Sequence, residues 1–533
     1  MKIQVDMFEV GLGAALLLQF ETKGGVVRVL ADGGVTGYPT DWVLKKLPNA
    51  VKDFGAGDSL HIDLIVGTHY DGDHLVGLVP IILDERVTIG EAWLPPVAND
   101  VQSHALDSRP RDSEFLALQL ARPGAKKVLA EYLRYKADVC EQLESVERAG
   151  EDDHPKRAML KSDEVRNGQE GLLRKAVFTE NGSVRRGPAL NYFKAHLEDC
   201  QQQTGSGFAG GCHADEDAAD PDGFLDPREP DEFWFDGDFP RAGLIASHMK
   251  SLKRENPTLA TAKATSLAMI RKNEAKDAIT AIHLAGVVEA LQKRRVNIRA
   301  ATIDDGQPRR FVWKKATKRF VPTAQESTDG PELTLLGPSI GLVGKHRDRL
   351  PTGSYMAKAA MALIPIEGIT PSNQLSYVMR FAHSGQNILV TGDAGFVDFK
   401  PSGRQAAYHQ HLIDCIKGLN VVQIAHHAGH NAHFYRCLLA AGFADEKEQP
   451  LLLLSHGVND KHRPSSIFGK FIEQVRKGGR PNLLFTSQPL EAKVRDYLQL
   501  IYPVTGGDPA DRGDIQLIFD GKVWVVKRHL VRV

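Results

Sequence analysis

Cysteine is scarce in this sequence and forms no pattern. Cys140, Cys200, Cys212, Cys415 and Cys437 are scattered over 533 residues without a C-x-x-C pair. That argues against a disulfide framework or a thiolate zinc cluster, and a reducing cytoplasm is the expected home. Charge of one sign is also lacking. The 66 Lys and Arg balance 67 Asp and Glu to a net charge of -1, so any grip on nucleic acid must come from a local patch. No apolar run is long enough to span a bilayer, and the N-terminus lacks the charged, apolar, small-residue order of a signal peptide. No membrane partner is expected. Solenoid-type repeats are missing too.

What is present is a globular composition, 42% hydrophobic and 25% charged. The length favours two domains, or one domain with a large insertion. Short apolar or β-branched runs at 3–9, 14–21 and 26–31, separated by glycines, predict a strand meander. A helical pattern at 40–47 precedes a nearly all-apolar strand at 62–66, and a further strand at 91–94 stops at Pro95-Pro96. Helix formers and charge then dominate, with helical runs at 113–149 and 256–285 around an acidic, proline-bearing loop at 215–238. Strand-like runs resume at 297–303, 310–313 and 333–336, and recur to 523–527 with helical stretches between some of them. The predicted organisation is an α/β domain at 1–100 and 281–533, split by a mainly helical insertion at 101–280.

The chemistry concentrates in His69-Tyr70-Asp71-Gly72-Asp73-His74, four potential metal ligands in six residues, directly after a buried strand. In an extended loop His69 and Asp71 project to one side. Asp73 and His74 open the following helix and can face a neighbouring ion, and Gly72 permits the turn between the pairs. A single His-Asp pair would read as a capped loop; four ligands together read as a metal or catalytic site. The imidazole and carboxylate mixture suits zinc, manganese or iron. Two later strands end the same way, one in Gly392-Asp393 and one in His426-His427-Ala428-Gly429-His430. Ligands at strand carboxyl ends are the rule in α/β folds.

These segments resemble the metallo-β-lactamase-fold hydrolases, in particular the ComEC-like branch. Phe8–Gly13 with Asp32-Gly33-Gly34 resembles the opening VGQG…DGG hairpins, and Thr68–Gly77 resembles THxHxDHxGG. Ser372–Ser376 with Thr391-Gly392-Asp393 resembles the N-x-x-S strand and GD turn, and Ala425–Gly429 resembles HHGS. Ser455, Asn459, His462 and Pro464 resemble the S…N…HP segment, and Thr486 with Gly513-Asp514-Ile515 resembles the last strands.

The resemblance implies an αββα sandwich with two divalent ions between its sheets. His69 and Asp71 would hold one ion and Asp73 and His74 the other, with Asp393 bridging. His426 would complete the second site, with His427 as its competitor. The second histidine of the signature is Asp71 in this chain, and Asn373 stands near the place of another, so the first site would be harder and tilt from zinc toward manganese or magnesium. Asp73 would orient the attacking water or take its proton, and His462 would serve the leaving group.

The implied activity is that of a phosphodiesterase or nuclease, free-standing and without the membrane channel of some relatives. Arg309, Arg310, Trp313, Lys314 and Lys315, with Phe311 and then Lys318-Arg319-Phe320, interleave bases with aromatics. Such a surface can hold phosphates while stacking bases. The same run also reads as a hairpin with an aromatic core face and a solvated basic face. Two alternatives stand beside the nuclease: a hydrolase of a small ester, lactone or nucleotide signal with the insertion as a lid, and a metal-binding scaffold recruiting a protein partner through the insertion.

Overall fold

The structure is a computed structural model. It describes residues 1–35, 38–55, 59–98, 100, 115–151, 188–203, 242–323, 330–348, 369–400, 407–445, 450–457, 463–476, 482–487 and 512–530. The acidic stretch 215–238, Asn459 and His462 lie outside these residues. The chain divides into two compact units, one of Met1–Ala121, His283–Lys345 and Pro371–Val533, the other of Arg122–Ile282 and His346–Thr370.

The first unit is α/β with two large mixed sheets. Its strands begin with β1 (Ile3–Met7), β2 (Leu16–Thr22), β3 (Gly25–Ala31), β4 (Leu60–Val66), β5 (Val87–Trp93) and β6 (Asn297–Arg299). They continue with β7 (Arg309–Lys314), β8 (Arg319–Pro322), β9 (Glu332–Gly337), β10 (Val378–His383) and β11 (Gln386–Val390). The last are β12 (Val421–Gln423), β13 (Leu451–Leu454), β14 (Asn482–Phe485), β15 (Asp514–Phe519) and β16 (Trp524–Leu530). One sheet runs β16-β15-β1-β2-β3-β4-β5-β6 and the other β14-β13-β12-β11-β10-β9-β7-β8. Each is antiparallel on one side and parallel on the other: β3 to β6 are parallel neighbours, as are β11 to β14.

Strand alternation explains the core. Ile3, Val5 and Met7 of β1, Leu16, Leu18 and Phe20 of β2, and Leu333, Leu335, Met379 and Phe381 of β9 and β10 join one hydrophobic cluster between the sheets. Phe20 meets Phe381 at 6.2 Å, and Trp93 meets Phe311 edge-on at 4.8 Å. Each such side chain contributes about 1.5–3 kcal/mol by leaving water. The opposite face of β1 carries Gln4 and Asp6, both buried; Gln4 Nε2 donates to Asp6 and to the carbonyl of Ala50 in the helix Trp42–Phe54. That helix buries Val43, Leu44, Leu47, Ala50, Val51 and Phe54 along one stripe.

In β7 burial shows which way the aromatics of the basic-aromatic run face. Phe311, Trp313 and Phe320 are buried in the inter-sheet cluster, whereas Arg310, Lys314 and Lys315 are exposed. Trp313, 4% exposed, therefore presents no free face to a base, and the expected stacking surface is corrected to a basic edge without aromatics.

The second unit is helical: Ala125–Glu151, Pro188–Gln203, Ala242–Glu255, and the helix Pro257–Lys293 up to Ile282. The helical run expected over 113–149 is broken in two, Leu116–Leu120 and Ala125–Glu151. Pro123 and the left-handed Gly124 (φ 89°) stand between them. Val139, Leu143, Val146, Ile245, Met249, Leu267 and Ile270 form this unit's apolar core. Beside it Arg271, fully buried, is held by both carboxylate oxygens of Glu147 at 2.9 and 2.7 Å. Lys136, also fully buried, reaches Glu274 at 2.5 Å and Asp277 at 3.2 Å. Such pairs are costly to bury and costlier to break.

Candidate metal centre

The parallel halves of the two sheets deliver the polar residues. Asp32 follows β3, His69 follows β4, Asp393 follows β11, His426 and His427 follow β12, and Ser455 follows β13. Close backbone packing makes room for them. A side chain on Gly77 would stand 2.0 Å from the Gly33 carbonyl oxygen, and one on Gly392 (φ 52°) would stand 2.3 Å from Thr68 Oγ1. Only glycine fits either position.

Asp393 sits at the centre. Its Oδ2 lies 3.6 Å from His69 Nε2, and its Oδ1 lies 3.5 Å from His74 Nε2 and 3.6 Å from His427 Nε2. Asp71 Oδ2 is 3.7 Å from His69 Nε2, and Asp73 Oδ2 is 4.0 Å from His427 Nε2. Asn373 Nδ2 donates to Asp393 Oδ2 at 3.3 Å. The cluster thus brings together His69, Asp71, Asp73, His74, Asp393, His427 and Asn373. Two groupings have the compactness a cation needs, His69–His74–Asp393 and Asp73–His74–His427.

Of the adjacent histidines, His427 turns its Nε2 toward Asp393, while His426 Nε2 stands 3.4 Å from Arg463 Nη2. An unusual backbone separates them: His426, His427 and Ala428 all have left-handed φ, at 53°, 52° and 60°. Each costs about 1–2 kcal/mol in a residue with a side chain. The turn is pinned by Gly429 N donating to the His426 carbonyl at 2.7 Å and Ser465 N to the Ala428 carbonyl at 2.9 Å.

The outer partners fix the imidazole tautomers. His74 Nδ1 is 2.8 Å from Asp32 Oδ2, and His427 Nδ1 is 3.3 Å from the Ser455 carbonyl oxygen. A carbonyl only accepts, so His427 Nδ1 carries the proton and Nε2 a lone pair. Asp32 is itself held by Thr68, whose N and Oγ1 donate to its two oxygens at 2.7 and 2.6 Å.

The charges respond to one another. Burial would lower His74, but Asp393, Asp32 and Asp73 outweigh it and lift its pKa to about 10. Burial, opposed by Asp393 but assisted by His74, Arg463 and His426, pushes His427 down to about 3. Burial would raise Asp393, yet His69, His427, His74 and His426 hold its carboxyl well below the usual range. Asp73 is raised, first by burial, with Asp71 and Asp393 adding like charge against His74 and His69.

A cation fits this donor set. His69 Nε2, His74 Nε2, His427 Nε2 and Asp393 Oδ1 are buried and make no hydrogen bond. Their separations from Asp393 oxygens of 3.5 to 3.6 Å are too long for hydrogen bonds. They match the ~3.4 Å edge of a tetrahedron whose ligands lie 2.0–2.1 Å from zinc. The lone pair of His427 Nε2, which faces Asp393 Oδ1, is repelled by that carboxylate until a cation stands between them.

Two residues of the site escaped the sequence reading. Asp32 enters the resemblance only as part of the DGG hairpin, without a role at the site; its φ of 63° is rare outside glycine. Arg463, 4% exposed, is the residue directly before Pro464 and stands beside His426. The resemblance implied His462 for this segment, and that residue lies outside the described ones. Nearby His430 is half-buried and His433 buried, and burial lowers the pKa of both, His433 to about 4. Arg309 donates from Nη1 to the Thr302 carbonyl at 2.7 Å, and Arg310 lies 3.8 Å from Glu332.

Compared with known protein families and with curated proteins, the chain matches none. Among the described residues no helix is long and apolar enough to cross a membrane.

Proposed function

We propose that the chain is a metal-dependent phosphodiesterase or nuclease, built as a metallo-β-lactamase-type αββα sandwich of the ComEC-like branch. The observation that carries this reading is the convergence of three buried imidazole Nε2 atoms on one carboxylate, Asp393, at separations no hydrogen bond explains. In the proposed assignment His69, Asp71 and Asp393 hold one divalent ion, with Asn373 beside it. Asp73, His74, Asp393 and His427 hold the second. Zinc or manganese suits this mixture of nitrogen and oxygen donors.

Bound ions would supply a water acidified toward neutrality and positive charge against the developing negative charge on substrate oxygens. The chain's own residues do the rest. Asp32 and the Ser455 carbonyl keep the Nδ1 protons of His74 and His427 outward, so that both Nε2 atoms face the reaction. Asp73, more exposed than its neighbours and with its proton affinity raised, is suited to orient the nucleophile or accept its proton at Oδ2. Burial of His69, His74 and Asp393 excludes bulk water from the ligand cluster. Nucleic acid is the proposed substrate, with the exposed Arg310, Lys314 and Lys315 holding backbone phosphates.

The test is a panel of single-stranded DNA, duplex DNA, RNA and bis(p-nitrophenyl) phosphate with protein reconstituted with zinc or manganese. Cleavage that chelation abolishes is expected. Turnover of none of the four with either metal contradicts the proposal.

A further inference from the structure

We propose that a cleft on the outer face of the sheet containing β7, β9 and β10 binds a phosphate group between Arg310 and Arg380. The inference goes beyond the hydrolytic reading, because the cleft shares no lining residue with the Asp393 cluster and needs no metal.

Strand alternation and register put the two guanidinium groups on one face. Phe311 and Phe381 point toward the β1 sheet, where they meet Trp93 and Phe20. The adjacent Arg310 and Arg380 therefore point away from it. Both pair in register with the same residue of β9, Thr334, so their backbones stand about 10 Å apart, two strand spacings. Long side chains can converge over that span. Between this face and the short helix Gln410–Cys415 opens a cleft of about 290 Å³, lined by the two arginines with Gln307, His411, Asp414 and Cys415.

One carboxylate serves both arginines, and neither closely. Glu332 Oε1 lies 3.4 Å from Arg380 Nη2 and 3.8 Å from Arg310 Nε, longer than the roughly 2.7–2.9 Å of a strong charged pair. Arg380 is braced by the Cys415 carbonyl and by Thr334 Oγ1, each at 3.3 Å. The Arg310 side chain, 41% exposed, has only its distant contact with Glu332 among the described residues. Asp414 is engaged instead by Lys417 at 2.7 Å and Gln410 at 2.8 Å.

The balance at the wall of the cleft is positive. Burial raises the pKa of the Cys415 thiol, and Arg380 and Arg310 oppose that rise more strongly than Asp414 and Glu332 assist it. Two planar forks suit a tetrahedral anion that offers several oxygens, and a guanidinium keeps its charge at any working pH. His411 and Gln307, both exposed, can donate from the rim. A backbone phosphodiester and a free phosphate offer the same chemistry, and the experiment separates them.

Calorimetry compares wild type with Arg310→Gln, Arg310→Lys and Arg380→Gln. The ligands are inorganic phosphate and a single-stranded DNA oligonucleotide without terminal phosphates. Each titration is run with and without a chelator, which tells phosphate on a metal from phosphate in the cleft. Wild type is expected to bind at least one ligand with chelator present. Arg310→Gln and Arg380→Gln should weaken that binding by roughly tenfold or more, the worth of a charged hydrogen bond. Arg310→Lys should recover only part of the loss, since it restores the charge without the fork. Circular dichroism checks that Arg380→Gln keeps its fold; Arg310, being exposed, carries the test if it does not. Oligonucleotide binding that falls in these variants assigns the cleft to backbone phosphates. A fall for inorganic phosphate alone assigns it to free phosphate. Chelator-treated wild type that binds neither ligand overturns the inference, and so does Arg310→Gln that binds as tightly as wild type. Neither result bears on the Asp393 cluster.

Discussion

Asp32 Oδ2 lies 2.8 Å from His74 Nδ1, and the far nitrogen of the same ring lies 3.5 Å from Asp393 Oδ1. One carboxylate therefore orients the imidazole that stands at the junction of both candidate cation groupings. The expected consequence is that Asp32→Asn lowers metal affinity by roughly 10–100-fold, the usual cost of an outer hydrogen-bond partner. Competition with a chromophoric chelator measures it. Unchanged affinity would reduce Asp32 to a turn residue.

Asp393→Ala should abolish metal-dependent hydrolysis while the protein remains folded. The change removes the carboxylate that His69, His74 and His427 share, and with it the negative charge on which their Nε2 atoms converge. Far-ultraviolet circular dichroism and turnover of bis(p-nitrophenyl) phosphate check the two halves of the statement. A variant with normal turnover removes Asp393 from the site.

The basic edge of β7 predicts binding without base preference. Phe311, Trp313 and Phe320 are in the core, so only charge is offered. Lys314→Glu with Lys315→Glu should weaken salt-sensitive binding of single-stranded DNA equally for purine-rich and pyrimidine-rich strands, with little change in stability. Trp313→Ala should instead destabilise the first unit by about 3–5 kcal/mol. Denaturant titration and fluorescence anisotropy separate the two effects. A loss confined to one base composition would restore a stacking role.

In the helical unit His196 sets a pH dependence. Burial first, then Arg271, depresses its pKa from 6.5 to about 4, and Arg271 Nη1 lies 3.1 Å from its Nδ1. Between those values the unfolded chain binds a proton that the folded unit refuses. The contribution of His196 to stability is thus full above about pH 6.5 and is lost as pH falls toward 4. Hydrogen exchange at pH 7 and pH 5 should show the loss in wild type and a smaller one in His196→Gln. Equal losses would discharge His196 from this role.

Much of the candidate site was legible because its potential ligands are local in sequence. His69, Asp71, Asp73 and His74 fall within six residues, and Asp393 and His427 each follow an apolar strand. What was not legible depended on backbone geometry or long-range contact. Adjacency leaves His426 and His427 open; folding turns Nε2 of His427 toward Asp393 and Nε2 of His426 toward Arg463. The role of Asp32 depends on Thr68 and His74, 36 and 42 residues away. The run 309–315 also allowed the aromatics to face outward; Phe311 and Trp313 are instead buried in the cluster they share with the other sheet. Residues 346–348 and 369–370 join the helical unit although they lie beyond its expected end at 280, because membership of a unit follows contacts and not order.

The central claim is that the Asp393 cluster binds cations. Anomalous X-ray scattering from crystals of the protein supplied with zinc or manganese tests it most directly. The account predicts two peaks flanking Asp393, one beside His69 and Asp71 and one beside Asp73 and His427, with His74 close to both. A crystal in which the metal is present in solution but no peak lies within bonding distance of Asp393 would contradict it.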